Sequence, residues 1–309
     1  MSMESAMQNL GPWTERPELS VPLADGSTLQ AADRPLVMGI VNVTPDSFSD
    51  GGEYYGHGAA VEHALELERQ GADIIDIGGE STRPGSTPVP AGEEKERVVP
   101  VVRELAPELD APISIDTRKS EVAGAALDAG AAIVNDVSAL RYDPEMAPLA
   151  AERGVPICLM HMQGTPQDMQ DNPTYEEVVA DVRGWLARRM EVAMAAGIDE
   201  DRIIVDPGFG FGKTAAHNLE LMRRLHEFHE LDRPLLVGTS RKSMIGAVLQ
   251  VPADERLHGT LATVCCAVMS GAHILRVHDV APALQAVRVC EAVRCGAGWS
   301  SETEPGGNT

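Results

Sequence analysis

Lysine is scarce in this sequence: four occur in 309 residues, at Lys95, Lys119, Lys213 and Lys242. With a formal net charge of −22, that scarcity leaves no basic stripe to displace counterions from a phosphate backbone, which excludes a nucleic-acid binder. Long apolar runs are missing too. Nothing approaches the roughly 18–20 residues of a membrane span, and Met1–Gly11 lacks the basic start and apolar stretch of a signal peptide. Cysteine is sparse and unpatterned. Cys158, Cys265, Cys266, Cys290 and Cys295 form no CxxC pair and sit near no His pattern, so buried, reduced thiols in a cytoplasmic protein are expected. The Asn42-Val43-Thr44 sequon carries no meaning without secretion. The acidic excess reads as a solubilising surface.

What is present is a quasi-repeat in which a helix stops at glycine and an apolar strand follows. It runs Gly71-Ala72-Asp73-Ile74-Ile75-Asp76, then Gly130-Ala131-Ala132-Ile133-Val134-Asn135-Asp136, then Gly271-Ala272-His273-Ile274-Leu275-Arg276, with variants after Gly154 and Gly197. Glycine supplies a left-handed helix cap, and the β-branched run reads as a strand buried on both faces. Eight strands result: Leu36–Val43, Ile74–Gly78, Ile113–Asp116, Ile133–Val137, Ile157–His161, Ile203–Asp206, Leu235–Gly238 and Ile274–Val277. Helical patterns such as Ala59–Gln70, Tyr175–Ala196, Ser243–Leu249 and Thr260–Met269 lie between them. Eight alternations predict an α/β fold, a single (β/α)8 barrel over residues 36–295. Residues 1–35 form an extension whose Ser20–Gln30 segment predicts a hairpin capping the barrel bottom, and 296–309 reads as a flexible tail. No second domain is visible.

In such a barrel the carboxyl ends of the strands face the catalytic mouth, and here nearly every strand ends in a polar or glycine-rich cluster. These are Asn42 to Gly52, Gly79 to Ser86, Asp116-Thr117-Arg118, Asn135-Asp136, Met160 to Gly164, Asp206 to Lys213, Thr239 to Lys242, and Arg276 to Asp279. Any one cluster is explained by helix capping; capping has no use for Lys242, Arg276 and His278. Two tempting motifs fail. Gly208 to Thr214 is not a phosphate-binding P-loop, because Pro207 stands where GxxxxGK[ST] requires glycine, and its GxGxG spacing is not the dinucleotide fingerprint. Flexible backbone close to a flat ligand, with Phe209 or Phe211 nearby, explains it better.

Lys242 sits at the start of a helical run, where the dipole disfavours a cation by roughly 0.3–1 kcal/mol; an anionic or electron-rich ligand would remove that penalty. Arg276 and His278 flank Val277 and share a strand face, a pairing suited to phosphate or pyrophosphate. Asp116, Asn135 and Asp206 end three strands and together offer acceptors and a donor for the amino-oxo edge of a pterin-like heterocycle. Paired carboxylates for hydrolysis, or a site for a hard metal, remain open on these residues alone.

Taken together, Asn42 to Gly52, Thr82-Arg83-Pro84-Gly85, Asp206 to Lys213, Ser240-Arg241-Lys242 and Arg276 to Asp279 resemble the dihydropteroate synthase family, over about Leu36 to Val293. The resemblance implies a transferase joining 6-hydroxymethyl-7,8-dihydropterin diphosphate to 4-aminobenzoate, giving 7,8-dihydropteroate and pyrophosphate. It further implies that Asp116, Asn135, Asp206 and Lys242 hold the pterin with Met160 packed on it. Asn42 would hold Mg²⁺, and Asn42, Arg83, Arg276 and His278 the diphosphate. Thr82, Pro84, Phe211 and Ser240 would shape the aminobenzoate site, with Phe48 closing over it, in a homodimer. The expected catalytic set is Asp116, Lys242, Arg276 and His278. Diphosphate departure would leave a pterin methylene cation that Asp116 stabilises and the aryl amine attacks, with no enzyme nucleophile. A pterin-dependent methyltransferase and a non-catalytic pterin-binding paralogue are the rival readings.

Overall fold

The structure is a computed structural model that describes residues 14–31, 33–44, 52–83 and 85–298. A short antiparallel hairpin, β1 (Ser20–Pro22) and β2 (Thr28–Gln30), precedes eight parallel strands. They are β3 (Leu36–Asn42), β4 (Ile74–Gly78), β5 (Ile113–Asp116), β6 (Ile133–Asp136), β7 (Ile157–Met160), β8 (Ile203–Asp206), β9 (Leu236–Val237) and β10 (Ile274–Val277). Sheet order runs β8-β7-β6-β5-β4-β3-β10-β9, and a single parallel bridge between Val205 and Leu235 joins its ends. The barrel predicted from the repeats is therefore present. Helices on the outside are α1 (Gly52–Arg69), α2 (Ala91–Leu105), α3 (Ser120–Ala129), α4 (Met146–Arg153), α5 (Val178–Ala195), α6 (Ala215–Arg223), α7 (Ser243–Leu249), α8 (Leu257–Met269) and α9 (Val280–Cys295).

Strand alternation sorts the core into two shells. Outward positions such as Val37, Ile75, Ile115, Val134, Leu159, Val205, Val237 and Leu275 pack under the helices in one large cluster. Inward positions near the strand starts (Met38, Ile74, Ile133, Cys158, Ile204, Leu236 and Ile274) form a separate apolar floor. Val21 and Leu23 complete that floor, so the hairpin does plug the barrel bottom. The extension is also tied down by polar contacts: Arg16 Nε donates to the Ala272 carbonyl (3.0 Å), and the His273 ring lies 3.0 Å from the Pro17 carbonyl.

The glycines of the repeat all adopt positive φ: Gly71, Gly130, Gly154, Gly197 and Gly271. At Gly130 the left-handed turn lets the cap N–H reach the carbonyls of Ala126 and Leu127, satisfying the end of α3. Element bounds depart from expectation in a few places. α5 begins at Val178 rather than Tyr175, because the Glu177 side chain caps it by accepting from the N–H groups of Val179 (3.2 Å) and Ala180 (2.7 Å). The ninth strand keeps only Leu236 and Val237 of the expected Leu235–Gly238. α1 starts at Gly52 and α8 at Leu257, earlier than the apolar periodicity indicates. The cysteines are free, as expected, but only Cys158 and Cys290 are buried; Cys265 is half-buried, and Cys266 and Cys295 are exposed. Among the described residues no helix is long and apolar enough to cross a membrane.

Candidate active site

Above the apolar floor, the next inward position turns polar on five of the eight strands. Ile74 is followed on the same face by Asp76, Ser114 by Asp116, Ile133 by Asn135, Ile204 by Asp206 and Ile274 by Arg276. A cleft at this level is lined by Thr82, Asp116, Asn135, Val137, Met160, Asp206, Phe209, Phe211, Gly238, Lys242 and Arg276. A larger cavity lies outside the barrel between the loop after β7 and α5, lined by His161, Tyr175, Trp185 and Arg188 among others. It receives none of the converging strand-end charges, so size does not mark the site here.

One wall of the cleft is apolar. Val137, Met160, Met162, Met169 and Phe211 form a small cluster of their own, which gives a flat ring a surface to lie on. The Lys242 ammonium stands 4.0 Å from the centre of the Phe211 ring, a cation–π contact. Glycine makes this approach possible. Gly210 has φ +80° and a Cβ there would lie 3.1 Å from the Lys242 stem, while a Cβ on Gly208 would fall 1.9 Å from the His161 carbonyl oxygen. The glycine-rich segment thus exists to pass close to the loop after β7 and to Lys242.

The opposite wall is charged. Arg276 donates to Asp76 (Nε to Oδ2, 2.6 Å) and to Asp116 (Nη2 to Oδ2, 2.7 Å). Asp206 accepts the Gly208 N–H at 2.7 Å. Burial raises the Asp116 carboxyl to about 7, with Asp76 and Glu94 adding to the effect and Arg276 opposing it. Burial likewise lifts Asp206 to about 6 against the Gly208 N–H and Lys242. Lys242 is lowered to about 8 by desolvation and by Arg276. Three strand-end groups are thereby set to titrate close to neutrality, a property of sites that handle charge. Lys242 is the N-cap residue of α7. Arg241 before it holds φ +57°, fixed by a fork onto Asp279 (2.6 and 3.1 Å).

The pterin binding enzyme family matches residues 38–278. Dihydropteroate synthase of Escherichia coli K12 is 50% identical over 269 residues, which is 87% of this chain and 95% of that one. The chain belongs to the dihydropteroate synthase family. Solved structures of the family agree with the fold. The Xanthomonas albilineans synthase with 4-aminobenzoic acid superposes with a TM-score of 0.85 at 47% identity, covering 91% of this chain and 100% of that one. The same enzyme in complex with 7,8-dihydropteroate gives 0.81 at 45% identity, covering 89% and 100%.

Of the residues that the family resemblance singles out, Thr82, Asp116, Asn135, Met160, Asp206, Phe211, Lys242 and Arg276 meet in the one cleft. Ser240 and His278 are bonded to each other beside it, with Ser240 Oγ 3.0 Å from His278 Nδ1 and 3.2 Å from its backbone N–H. Burial, with Arg241 and Arg276 nearby, lowers His278 to about 3, so the ring is neutral near pH 7. Asn42 is half-buried at the tip of β3 and Arg83 exposed after β4; neither lines the cleft. Phe48 and Pro84 lie outside the described residues. Asp136, adjacent to Asn135, is structural: it accepts from Ser138 Oγ (2.7 Å) and from the N–H groups of Ser138 (2.8 Å) and Leu140 (2.7 Å).

Three features escaped the sequence reading. Asp76 is the first, a charge inside the apolar run Ile74–Gly78. The second is Lys213, buried and lowered to about 7 by desolvation, which donates to the carbonyls of Gly208 (2.9 Å) and Phe211 (3.0 Å) and contacts His161 Nδ1 (2.9 Å). It staples the loop that carries Phe211. A buried ion network is the third: Glu80 accepts from Val89 N–H (2.9 Å), Arg118 (3.2 Å) and Lys119 (2.9 Å), and Glu94 accepts from Lys119 and from the Thr117 hydroxyl (2.6 Å). It locks the segment leading to Thr82 onto the one that follows Asp116. Scarce lysine was the usable signal, since Lys119, Lys213 and Lys242 all follow strand ends.

Proposed function

We propose that this chain condenses 6-hydroxymethyl-7,8-dihydropterin diphosphate with 4-aminobenzoate, releasing 7,8-dihydropteroate and pyrophosphate. The observation that carries this reading is the single cleft in which Asp116, Asn135, Asp206, Lys242 and Arg276 face an apolar wall of Met160, Val137 and Phe211. Family relatives named as synthases favour it over a methyltransferase or a non-catalytic paralogue.

Each group has a task that its chemistry allows. Asp206 accepts N–H donors of the pterin edge, Asn135 and Asp116 accept from neighbouring ring nitrogens, and Lys242 donates to its oxo group. Met160, from the apolar wall, packs on the bicycle. Thr82 and Ser240, with Phe211, border the aminobenzoate. Phe48 and Pro84 join that border in this reading. The aryl amine needs no enzyme nucleophile; it needs orientation. His278 presents a neutral imidazole to the diphosphate side, and Arg83 and Arg276 add positive charge there.

Asp116 and Asp206 line the mouth with Lys242 and Arg276, and Asp76 stands behind Arg276. These carboxylates, held in place by the strands, favour positive charge developing on the pterin methylene as the diphosphate leaves. Asp116 is the acid best placed to act on it.

Among the described residues no group of three or more His, Cys, Asp or Glu side chains is set to hold a metal. A hard cation that arrives on diphosphate oxygens and keeps its waters requires only one or two protein oxygens, and Asn42 at the tip of β3 fits that modest demand. Bound Mg²⁺ would supply charge neutralisation for the departing diphosphate.

The enzyme acts in the cytoplasm as a homodimer in this reading. Free cysteines support the first point. Support for the second comes from exposed apolar side chains on helices of one half of the ring: Leu219 of α6, Val248 and Leu249 of α7, and Val289 and Val293 of α9. The direct test is incubation of the purified protein with both substrates and Mg²⁺, followed by mass detection of dihydropteroate. Absence of product with intact, folded protein would refute the assignment.

A further inference from the structure

Asp76 is buried to 0% exposure in the middle of β4. It belongs to the polar layer at the base of the cleft but is not among the cleft's lining residues. Its Oδ2 takes the Arg276 Nε–H at 2.6 Å and the Asn135 Nδ2–H at 3.2 Å, whereas its Oδ1 is buried without a hydrogen-bond partner. The register pairs Asp76 with Ser114, whose hydroxyl is also buried and unpartnered. For the fold this carboxylate is a liability, since a buried charge with an unsatisfied oxygen is worse than an apolar side chain of the same volume.

We infer that Asp76 is a positioning residue for the pterin half of the site: it fixes which face of the Asn135 amide and which edge of the Arg276 guanidinium the ligand meets. The inference rests on the function proposed above. An ionised carboxylate only accepts, so the Asn135 amide must turn its NH2 toward Asp76. The amide oxygen is then left for the cleft, where it is an acceptor for a ring N–H. Without Asp76 the amide is free to rotate by half a turn, exposing a donor to a donor. Arg276 is constrained in the same way. With Nε on Asp76 and Nη2 on Asp116, the plane of the guanidinium is set, and Nη1 is the nitrogen that carries neither bond. Asp76 touches no ligand and works through two side chains that do.

The experiment compares wild type, Asp76→Asn, Asn135→Ala and the double variant. Affinity for the dihydropterin diphosphate is read by calorimetry, and KM and kcat are measured for both substrates. Asp76→Asn is isosteric but carries its own NH2. It is expected to lose roughly 10- to 100-fold in pterin affinity, the range over which contacting groups couple. The KM for 4-aminobenzoate and the melting temperature should stay at or above wild type. The double variant should bind no worse than the weaker single variant. Wild-type pterin affinity in Asp76→Asn, or losses that simply multiply in the double variant, would overturn the inference. So would equal losses for both substrates with a lowered melting temperature, which is the mark of a structural role. Should Asp76→Asn fail to fold, Asp76→Leu is made. Failure of both also overturns the inference, because it assigns the fold no need of this carboxylate. A wild-type protein that forms no dihydropteroate would instead remove the function on which the inference rests.

Discussion

The two ends of the barrel are built from the same strands and obey opposite rules. At the floor, Met38, Ile74, Ile133, Cys158, Ile204, Leu236 and Ile274 close on Val21 and Leu23 with no charge among them. Two residues further along the same inward face stand Asp76, Asn135, Asp206 and Arg276, with Asp116 beside them. About 7 Å of strand separates the two layers, at roughly 3.3 Å per residue. The contrast teaches that stability and chemistry are divided along the strand axis within single strands, so one substitution at each level should separate them.

The largest effect belongs to the floor. Ile204→Ala is expected to lower unfolding free energy by about 2–5 kcal/mol through lost burial and a residual cavity. Its kcat/KM, measured well below the new melting temperature, should match wild type; a parallel fall in activity would erase the division. At the mouth the signs reverse. Lys242→Ala should weaken binding of the dihydropterin diphosphate by about 1.5–3 kcal/mol, the strength of a hydrogen bond to a charged group. Denaturant unfolding should show no loss of stability, since a desolvated cation has been removed. Unchanged binding by calorimetry would strip Lys242 of its role.

Acidity sharpens the comparison further. Asp116 at about 7 and Asp206 at about 6 must be ionised to accept, so binding is present above these values and is lost as pH falls through them. Lys242, lowered to about 8, must be protonated to donate, so binding is lost as pH rises through that value. The profile of kcat/KM, which reports the free enzyme, should be a bell with its top between about 7 and 8. The alkaline limb should flatten in Lys242→Ala. A profile level from pH 5 to 9 would mean that these groups do not govern the reaction. Smallest is Val21→Ala in the hairpin, expected to reduce stability by about 1–2 kcal/mol with no change in either KM.

The architecture was legible because both signals it needed are local. Glycine caps and β-branched runs repeat along the chain, and polar residues mark strand tips whatever their neighbours. What stayed hidden depends on neighbours. Asp76 reads as one polar letter inside Ile74–Gly78, and nothing in that run tells that Arg276, 200 residues later, will reach it. His278 was expected to serve the diphosphate, but its charge state follows from burial and from Arg241 and Arg276, which sequence spacing does not reveal. Likewise the reason for the glycine-rich segment, close passage beneath the His161 carbonyl, belongs to a loop some fifty positions away. Polar residues at tips can be nominated from a sequence; the company they keep cannot.

The bridge between Val205 and Leu235 is the one strand pairing between β8 and β9. That seam is the natural place for the sheet to unzip, and its amides should be the first of the strand amides to exchange with deuterium. Asp206 hangs from one lip and Lys242 follows the other. A heterocycle gripped by both would therefore suture the seam, so that occupancy of the mouth slows exchange along the wall.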